Sequence, residues 1–293
     1  HALPRTPFHV VVAVPNLRSS RLLSDDWLFY YRAVARAKTD RAMLVQLSFE
    51  TPNWIESTLE VKKDHKPYRF LGRYARHAHL ILSISKTGDE FARPYYNQFN
   101  SRLAYAYAHP CINSRACDKV PDVPKEERVV MVTRASDAHK NARSILDLIH
   151  PSLRGFSLDV IQGAGEVPPE LRTALAQRCA NEGVILHIHE RLSEARKFDL
   201  LKRAKLLVYP TLFEGFGLPP IEAQYCGARV AAFDLPVLRE VSTASRDMQF
   251  VSVGDYGELR QRVVTMAKES HDPASVRARV DQPARFETLV ERL

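Results

Sequence analysis

Two periodicities alternate along this chain. FHVVVAVPN (Phe8–Asn16), RAMLVQLSF (Arg41–Phe49), LILSIS (Leu80–Ser85) and LAYAYAH (Leu103–His109) are short runs rich in aliphatic and β-branched residues. Such runs mark strands of a parallel sheet. Between them lie segments of helical character: Trp27–Lys38 with Asp25 or Asp26 as cap, part of Asn53–Lys66, and the basic Tyr68–His79. A short helix over KTGDEFARPYYNQF should be interrupted or restarted at Pro94. The second half repeats the alternation more clearly. Strands are predicted at Val129–Thr133, Ser157–Gly163, Val184–His189, Leu206–Pro210, Arg229–Phe233 and Met248–Gly254. Helices are predicted at Ala142–His150, Pro169–Asn181, Ser193–Lys205, after Leu218, after Pro236 and over Asp255–Ser270. Ser193 and Asp255 stand where helix caps belong. Strand and helix in alternation imply α/β architecture with right-handed crossovers.

A chain of 293 residues is long for one domain and favours two. The stretch CDKVPDVPKEER (Cys117–Arg128), with two prolines and several charges, reads as the linker. That places one domain at 1–122, a second at 123–270, and a helical segment at 271–293 that would cross back to the first.

The net charge of +8 and the isoelectric point near 9.3 imply a surface attractive to anions. The basic residues are spread rather than blocked, which does not specify nucleic acid. The four cysteines form no C-x-x-C pair and no zinc spacing, and reduced thiols fit a cytoplasmic protein. No apolar stretch reaches the roughly 18 residues of a spanning helix. The chain starts at His1 rather than Met, which leaves its natural N-terminus open. The aromatic group Trp27, Phe29, Tyr30 and Tyr31 reads as core rather than as an acceptor or membrane surface.

The chemistry concentrates in LLVYPTLFEGFGLPPIEAQYCG (Leu206–Gly227), a strand, a glycine-rich turn and a helix. Gly215 and Gly217 free the backbone for positive φ, and Pro219 and Pro220 suit a first helical turn. The amides of that turn and the helix dipole make an anion site. Glu214 stands at the end of the strand, and Glu222 on the helix in an E-x7-E spacing. That spacing alone also fits one solvated acid and one helical ion pair. Position favours a site, since open α/β sheets bind ligands at their carboxyl ends. Glu222, among apolar neighbours, needs a partner. Arg134 and Lys140 follow another strand and are placed to neutralise a diphosphate. Gly163 lies in a second glycine-rich exit, IQGAGEVP. There is no G-x-G-x-x-G, no Walker motif and no G-x-S-x-G elbow, which argues against dehydrogenases, P-loop enzymes and serine hydrolases.

From about Val129 to Lys268 the chain resembles the retaining GT-B glycosyltransferases of family four. VVMVTRASDAHKN is similar to their strand, basic residue and Lys-Asn helix start. LSEARKFDLLKRAKLLVYPTLFEGFGLPPIEAQYCGARVAAFDLPVLREV is similar to their donor-domain core. The resemblance implies two Rossmann-like domains facing a cleft, acceptor domain first and donor domain second. It implies transfer of a hexose, with retention, from a nucleoside-diphosphate sugar (GDP- or UDP-linked) to a carbohydrate or lipid-linked acceptor. No cofactor and no metal are implied, and the sequence contains no Asp-x-Asp. Arg134 and Lys140 would hold the diphosphate. Glu214 would bind donor-sugar hydroxyls beside the backbone of Gly215, Phe216, Gly217 and Leu218. Glu222 would bind ribose, and the backbone near Arg191 and Leu192 the base, with Gly163 in the same cleft. Peripheral contact with the anionic inner face of a membrane fits the charge. Two other readings stay open: another sugar-nucleotide-processing GT-B enzyme, or a non-catalytic nucleotide-sugar-binding scaffold subunit. The first half is shorter than the family's acceptor domain, and VPNLRSSRLL replaces its first glycine-rich loop. The family's histidine has His65 as its nearest counterpart.

Overall fold

The four apolar runs of the first half form one parallel sheet. Its strands are β1 (Val10–Ala13), β2 (Met43–Ser48), β3 (Leu80–Ser83) and β4 (Ala104–Tyr107), in that spatial order. The computed structural model describes residues 7–14, 25–62, 66–242 and 247–280, so His65 and residues 281–293 lie outside it. Helices α1 (Asp25–Asp40), α2 (Pro52–Leu59), α3 (Lys66–Ala75) and α4 (Lys86–Asn97) connect the strands. Each strand joins on the same side of its predecessor. Right-handed crossovers then deliver the connecting helices to one face. Ala13, Leu44 and Ile81 pack there on Tyr30, Val34, Leu71 and Tyr96. On the opposite face Val10, Val12 and Met43 are 49%, 51% and 48% exposed. Pro94 does not interrupt α4, which runs unbroken through it. The carbonyl it would have bonded belongs to the exposed Glu90, within reach of solvent.

The second half forms a six-stranded parallel sheet. Its strands are β5 (Glu126–Thr133), β6 (Ser157–Gln162), β7 (Ile185–Glu190), β8 (Ala204–Tyr209), β9 (Arg229–Phe233) and β10 (Met248–Val251). The spatial order is β10-β9-β8-β5-β6-β7. The chain therefore winds outward from β5 to β7, then returns to lay β8 on the other side of β5. Helices are α5 (Ser114–Asp118), α6 (Ile145–Leu148), α7 (Pro169–Glu182), α8 (Glu194–Arg203), α9 (Leu218–Tyr225), α10 (Pro236–Val241), α11 (Tyr256–Lys268) and α12 (Pro273–Ala278). Alternation in the strands decides which helix covers which face. Val129, Met131, Leu206 and Val208 meet Leu148, Leu175, Leu259 and Met266 on one side. Val130 and Leu207 point to the other, toward α8 and α9. Ser193 and Asp255 cap α8 and α11 by accepting from the amides of Arg196 and Glu258.

Two expectations change. The chain divides by packing into His1–His109 and Pro110–Leu293, ahead of the 122/123 boundary read from the prolines and charges. The supposed linker belongs to the second unit and is anchored to it at several points. Cys117 lies on α5 and is fully buried, Lys202 donates to Val120 O, and Lys125 donates to Cys226 O. The helix expected over Ala142–His150 is broken into a 3-10 turn at Ala138–Lys140, another at Ala142–Ser144, and the one-turn α6. Asn141 separates them with φ of 52°, a left-handed conformation that asparagine tolerates. Of the 271–293 segment the described part is 271–280, where α12 packs on α9 and Arg277 covers the Tyr225 ring; the expected return to the first domain falls outside the described residues.

Phe198, on α8 and without solvent exposure, is among the largest buried side chains. Phe198→Ala should destabilise the protein by about 3–5 kcal/mol through lost burial and the cavity left behind. Urea unfolding of the variant against the parent measures it.

Candidate active site

The reversal of strand order places β5 beside β8, with Val129 opposite Leu206 and Val130 opposite Leu207. Both strands are parallel, so their following loops leave the sheet side by side, at the kind of switch point where α/β sheets bind ligands. Those loops are joined through one carbonyl. His139 O accepts from Leu212 N at 2.8 Å and from Thr211 Oγ1 at 3.1 Å. Asn141 adds a second clamp, its Nδ2 donating to Pro210 O at 3.0 Å and to the Tyr256 hydroxyl at 3.1 Å. The broken helix start thus carries the Lys140 side chain to the β8 loop.

There Lys140 Nζ donates to Glu214 Oε1 at 2.6 Å, and the Tyr209 hydroxyl donates to the same oxygen at 2.5 Å. Glu214 is 7% exposed. A carboxylate this deep needs its charge compensated by bonded donors, and both are present. Burial, and then the charge of Glu214, hold the Tyr209 phenol well above its ordinary value, so it remains a donor. Arg134 and Glu222 act electrostatically on the same phenol, which puts all of them around the end of β8. His139 stacks edge-on against Phe213 at 6.0 Å. Burial, then the Lys140 charge, pull His139 below its usual value and keep the ring neutral.

The glycine-rich turn behaves in part as expected. Gly217 caps α9 with φ of 94°, and a Cβ on it would stand 2.5 Å from Leu238 Cδ2. Gly215 is buried but makes no use of positive φ. The expected wealth of free amides at the start of α9 is reduced, because Pro219 and Pro220 occupy its first turn and carry no N–H. Phe216 is buried and Leu218 half-buried. Glu222, also 7% exposed, has the partner its burial demands: Lys197 of α8 donates to its Oε1 at 2.6 Å.

Gly163 and Arg134 are neighbours, since a Cβ on Gly163 would lie 3.5 Å from Arg134 Cγ. Arg134 also pairs with Asp137 at 3.1 Å. Buried Gln162 ties the two exits together, accepting from Ala135 N at 3.0 Å and donating to Ala164 O at 2.6 Å. Arg191 and Leu192 follow β7 at the far edge of the sheet. Arg191 has φ of 55°, and its 80% exposed side chain pairs with Glu166 at 2.8 Å. Among the described residues, no hydrogen bond or ion pair links Arg191 or Leu192 to Glu214 or Glu222. Tyr209, His139 and Lys197 were not singled out from the sequence. Only the neutralising needs of two buried acids could have pointed to them. Among the described residues, no three His, Cys, Asp or Glu side chains stand together as a metal-ligand set. Nor is any helix long and apolar enough to cross a membrane.

Residues 126–269 match the family described as glycosyl transferases group 1. The region therefore begins at β5 and ends just past α11, taking in the whole six-stranded sheet. The chain is 24% identical over 256 residues to the O-antigen chain mannosyltransferase RfbU of Salmonella typhimurium, covering 80% of this chain and 70% of RfbU. In structure it is similar to S. aureus TarM, with a TM-score of 0.69 at 13% identity. That likeness covers 90% of this chain but only 52% of TarM, so the chain spans about half of that protein. Anabaena Alr3699/HepE, solved with UDP and glucose, gives a TM-score of 0.63 at 15% identity over 91% of this chain and 74% of HepE. The fold is GT-B, built from two parallel-sheet α/β units.

The Lys140 and Glu214 side chains are 12% and 8% exposed. Lys140→Met should therefore destabilise by about 3–5 kcal/mol, because it strands a buried carboxylate. Adding Glu214→Gln should recover most of that loss. A double-mutant cycle in urea checks both.

Proposed function

We propose that this chain is a retaining, family-four GT-B glycosyltransferase that moves a hexose from a nucleoside-diphosphate sugar to a carbohydrate or lipid-linked acceptor. The observation that carries the reading is the pair of buried acid–lysine contacts at the β5/β8 switch point, Lys140–Glu214 and Lys197–Glu222, each at 2.6 Å. The match of residues 126–269 to glycosyl transferases group 1 supports it. So does the likeness to RfbU, a mannosyltransferase of O-antigen chains.

In this reading, cleavage of the sugar–phosphate bond builds positive charge at the anomeric carbon and negative charge on the leaving diphosphate. Placed cations stabilise that charge where it develops, without reorganising at the moment of reaction. Arg134 and Lys140 supply it, and no protein-bound metal is required. Lys140 has three N–H donors and commits one to Glu214, which leaves two for phosphate oxygens. Glu214 accepts donor-sugar hydroxyls beside the backbone of Gly215, Phe216, Gly217 and Leu218. Glu222 accepts from ribose, the backbone near Arg191 and Leu192 meets the base, and Gly163 leaves room next to Arg134. The charge of +8 favours an anionic acceptor and contact with an anionic membrane face.

Incubation with GDP- and UDP-hexoses, read as release of the nucleoside diphosphate, should show turnover with at least one donor. No release and no binding with any of them would end the reading. Glu222→Gln should weaken nucleoside-diphosphate binding about tenfold, about 1.4 kcal/mol, by calorimetry. Unchanged affinity would make Glu222 a structural residue.

A further inference from the structure

The two buried acids are bonded asymmetrically. Glu214 Oε1 takes both the Tyr209 hydroxyl at 2.5 Å and Lys140 Nζ at 2.6 Å. Glu222 Oε1 takes Lys197 Nζ at 2.6 Å. Among the described residues, nothing donates to Oε2 of either acid. A carboxylate oxygen accepts about two hydrogen bonds, so Oε1 of Glu214 is filled by the protein and Oε2 is not. Rotation of the carboxylate would break both bonds at once, inside a site where they are not readily replaced by water.

Tyr209 is well placed to impose this. It is the last residue of β8, 3% exposed, and its side chain lies on the α8 and α9 face with Leu207. Its ring is held by the sheet, while its hydroxyl reaches the loop that follows. The ammonium of Lys140 carries charge but swings on a flexible stem. The phenol is rigid and fixes direction. Lys197 is anchored in turn, its ammonium 4.6 Å from the centre of the Phe198 ring.

We propose that Tyr209 and Lys197 are positioning residues that divide donor recognition into two separable halves. Tyr209 orients Glu214 so that Oε2 alone accepts one hydroxyl of the donor sugar. Lys197 orients Glu222 so that its open oxygen accepts from the ribose. This rests on the glycosyltransferase reading above. It goes further in assigning a single sugar hydroxyl, rather than a vicinal pair, to Glu214.

Tyr209→Phe keeps the ring and removes only the hydroxyl, and Lys197→Met keeps most of the aliphatic stem. Calorimetry with UDP-glucose and UDP, and with GDP-mannose and GDP, separates the halves. With the pair that the parent protein binds, Tyr209→Phe should weaken the nucleotide sugar about tenfold and leave the nucleoside diphosphate within twofold. Lys197→Met should weaken both members about equally. In turnover, Tyr209→Phe should raise KM for the donor more than it lowers kcat. An equal loss for sugar-bearing and sugar-free ligands in Tyr209→Phe, or no loss for either, overturns the proposal while leaving the donor site standing. A parent protein that binds none of the four ligands overturns the donor reading and this inference together. Should Tyr209→Phe lose its near-ultraviolet circular dichroism, the Lys197→Met result decides alone. Loss confined to the sugar-bearing ligand in that variant refutes the division.

Discussion

A carboxylate at 7% exposure needs bonded donors in a protein interior, and Glu214 obtains its one cation because β5 and β8 are adjacent. Lys140 comes from the loop after one strand, Glu214 from the loop after the other, and |i−j| between them is 74. The contact is therefore a product of topology rather than of local sequence. A winding order that returned β8 to the far edge beside β7 would leave Glu214 buried with the Tyr209 hydroxyl alone and no cation. The reversal at β5 and the acid–lysine pair are one constraint seen at two scales.

The same constraint accounts for irregularities in the loops. A regular helix does not begin at Ala142. Asn141 at φ of 52° turns the chain instead, and its side chain fastens the turn to Pro210 O. His139 gives its carbonyl to both Leu212 and Thr211, which replaces the helical bonds that the break forfeits. Gly217 performs the matching task on the other loop, where a Cβ would meet Leu238. Buried Gln162 extends the stitching to the β6 exit, so three neighbouring strand ends share one hydrogen-bonded rim.

Much of this was legible in the chain itself. Strands announced themselves as β-branched runs, and Ser193 and Asp255 as caps, because those signals are local. Glu214, Glu222, Arg134 and Lys140 were conspicuous because each sits just past a strand or on the helix that follows one. Local signals failed where long-range contacts override them. Pro94 looked like a stop but lies in a helix whose face is already buried by Ala92, Tyr95 and Tyr96. The Cys117–Arg128 stretch looked like a linker because prolines and charges usually face water. Here Lys125 is drawn inside to Cys226 O and Leu201 O, and burial pushes its amine down to about 8. Tyr209 and Lys197 read as ordinary strand and helix residues, since nothing but the buried acid each one touches sets them apart.

The charge balance at the switch point bears on how an anion would be held there. Lys140 is matched by Glu214, Lys197 by Glu222, and Arg134 by Asp137. The cluster is close to neutral as it stands, so the excess of +8 belongs to the rest of the surface. A diphosphate entering such a site gains little from net charge. It gains from individual donors: the remaining protons of Lys140, the terminal nitrogens of the partly exposed Arg134, and the amides of a turn in which two positions are proline. On the proposed reading, selectivity follows from this arrangement. Net charge attracts any anion, whereas a neutral cluster with a few uncommitted donors rewards only a ligand that brings both phosphate acceptors and hydroxyl donors to the open oxygens of Glu214 and Glu222.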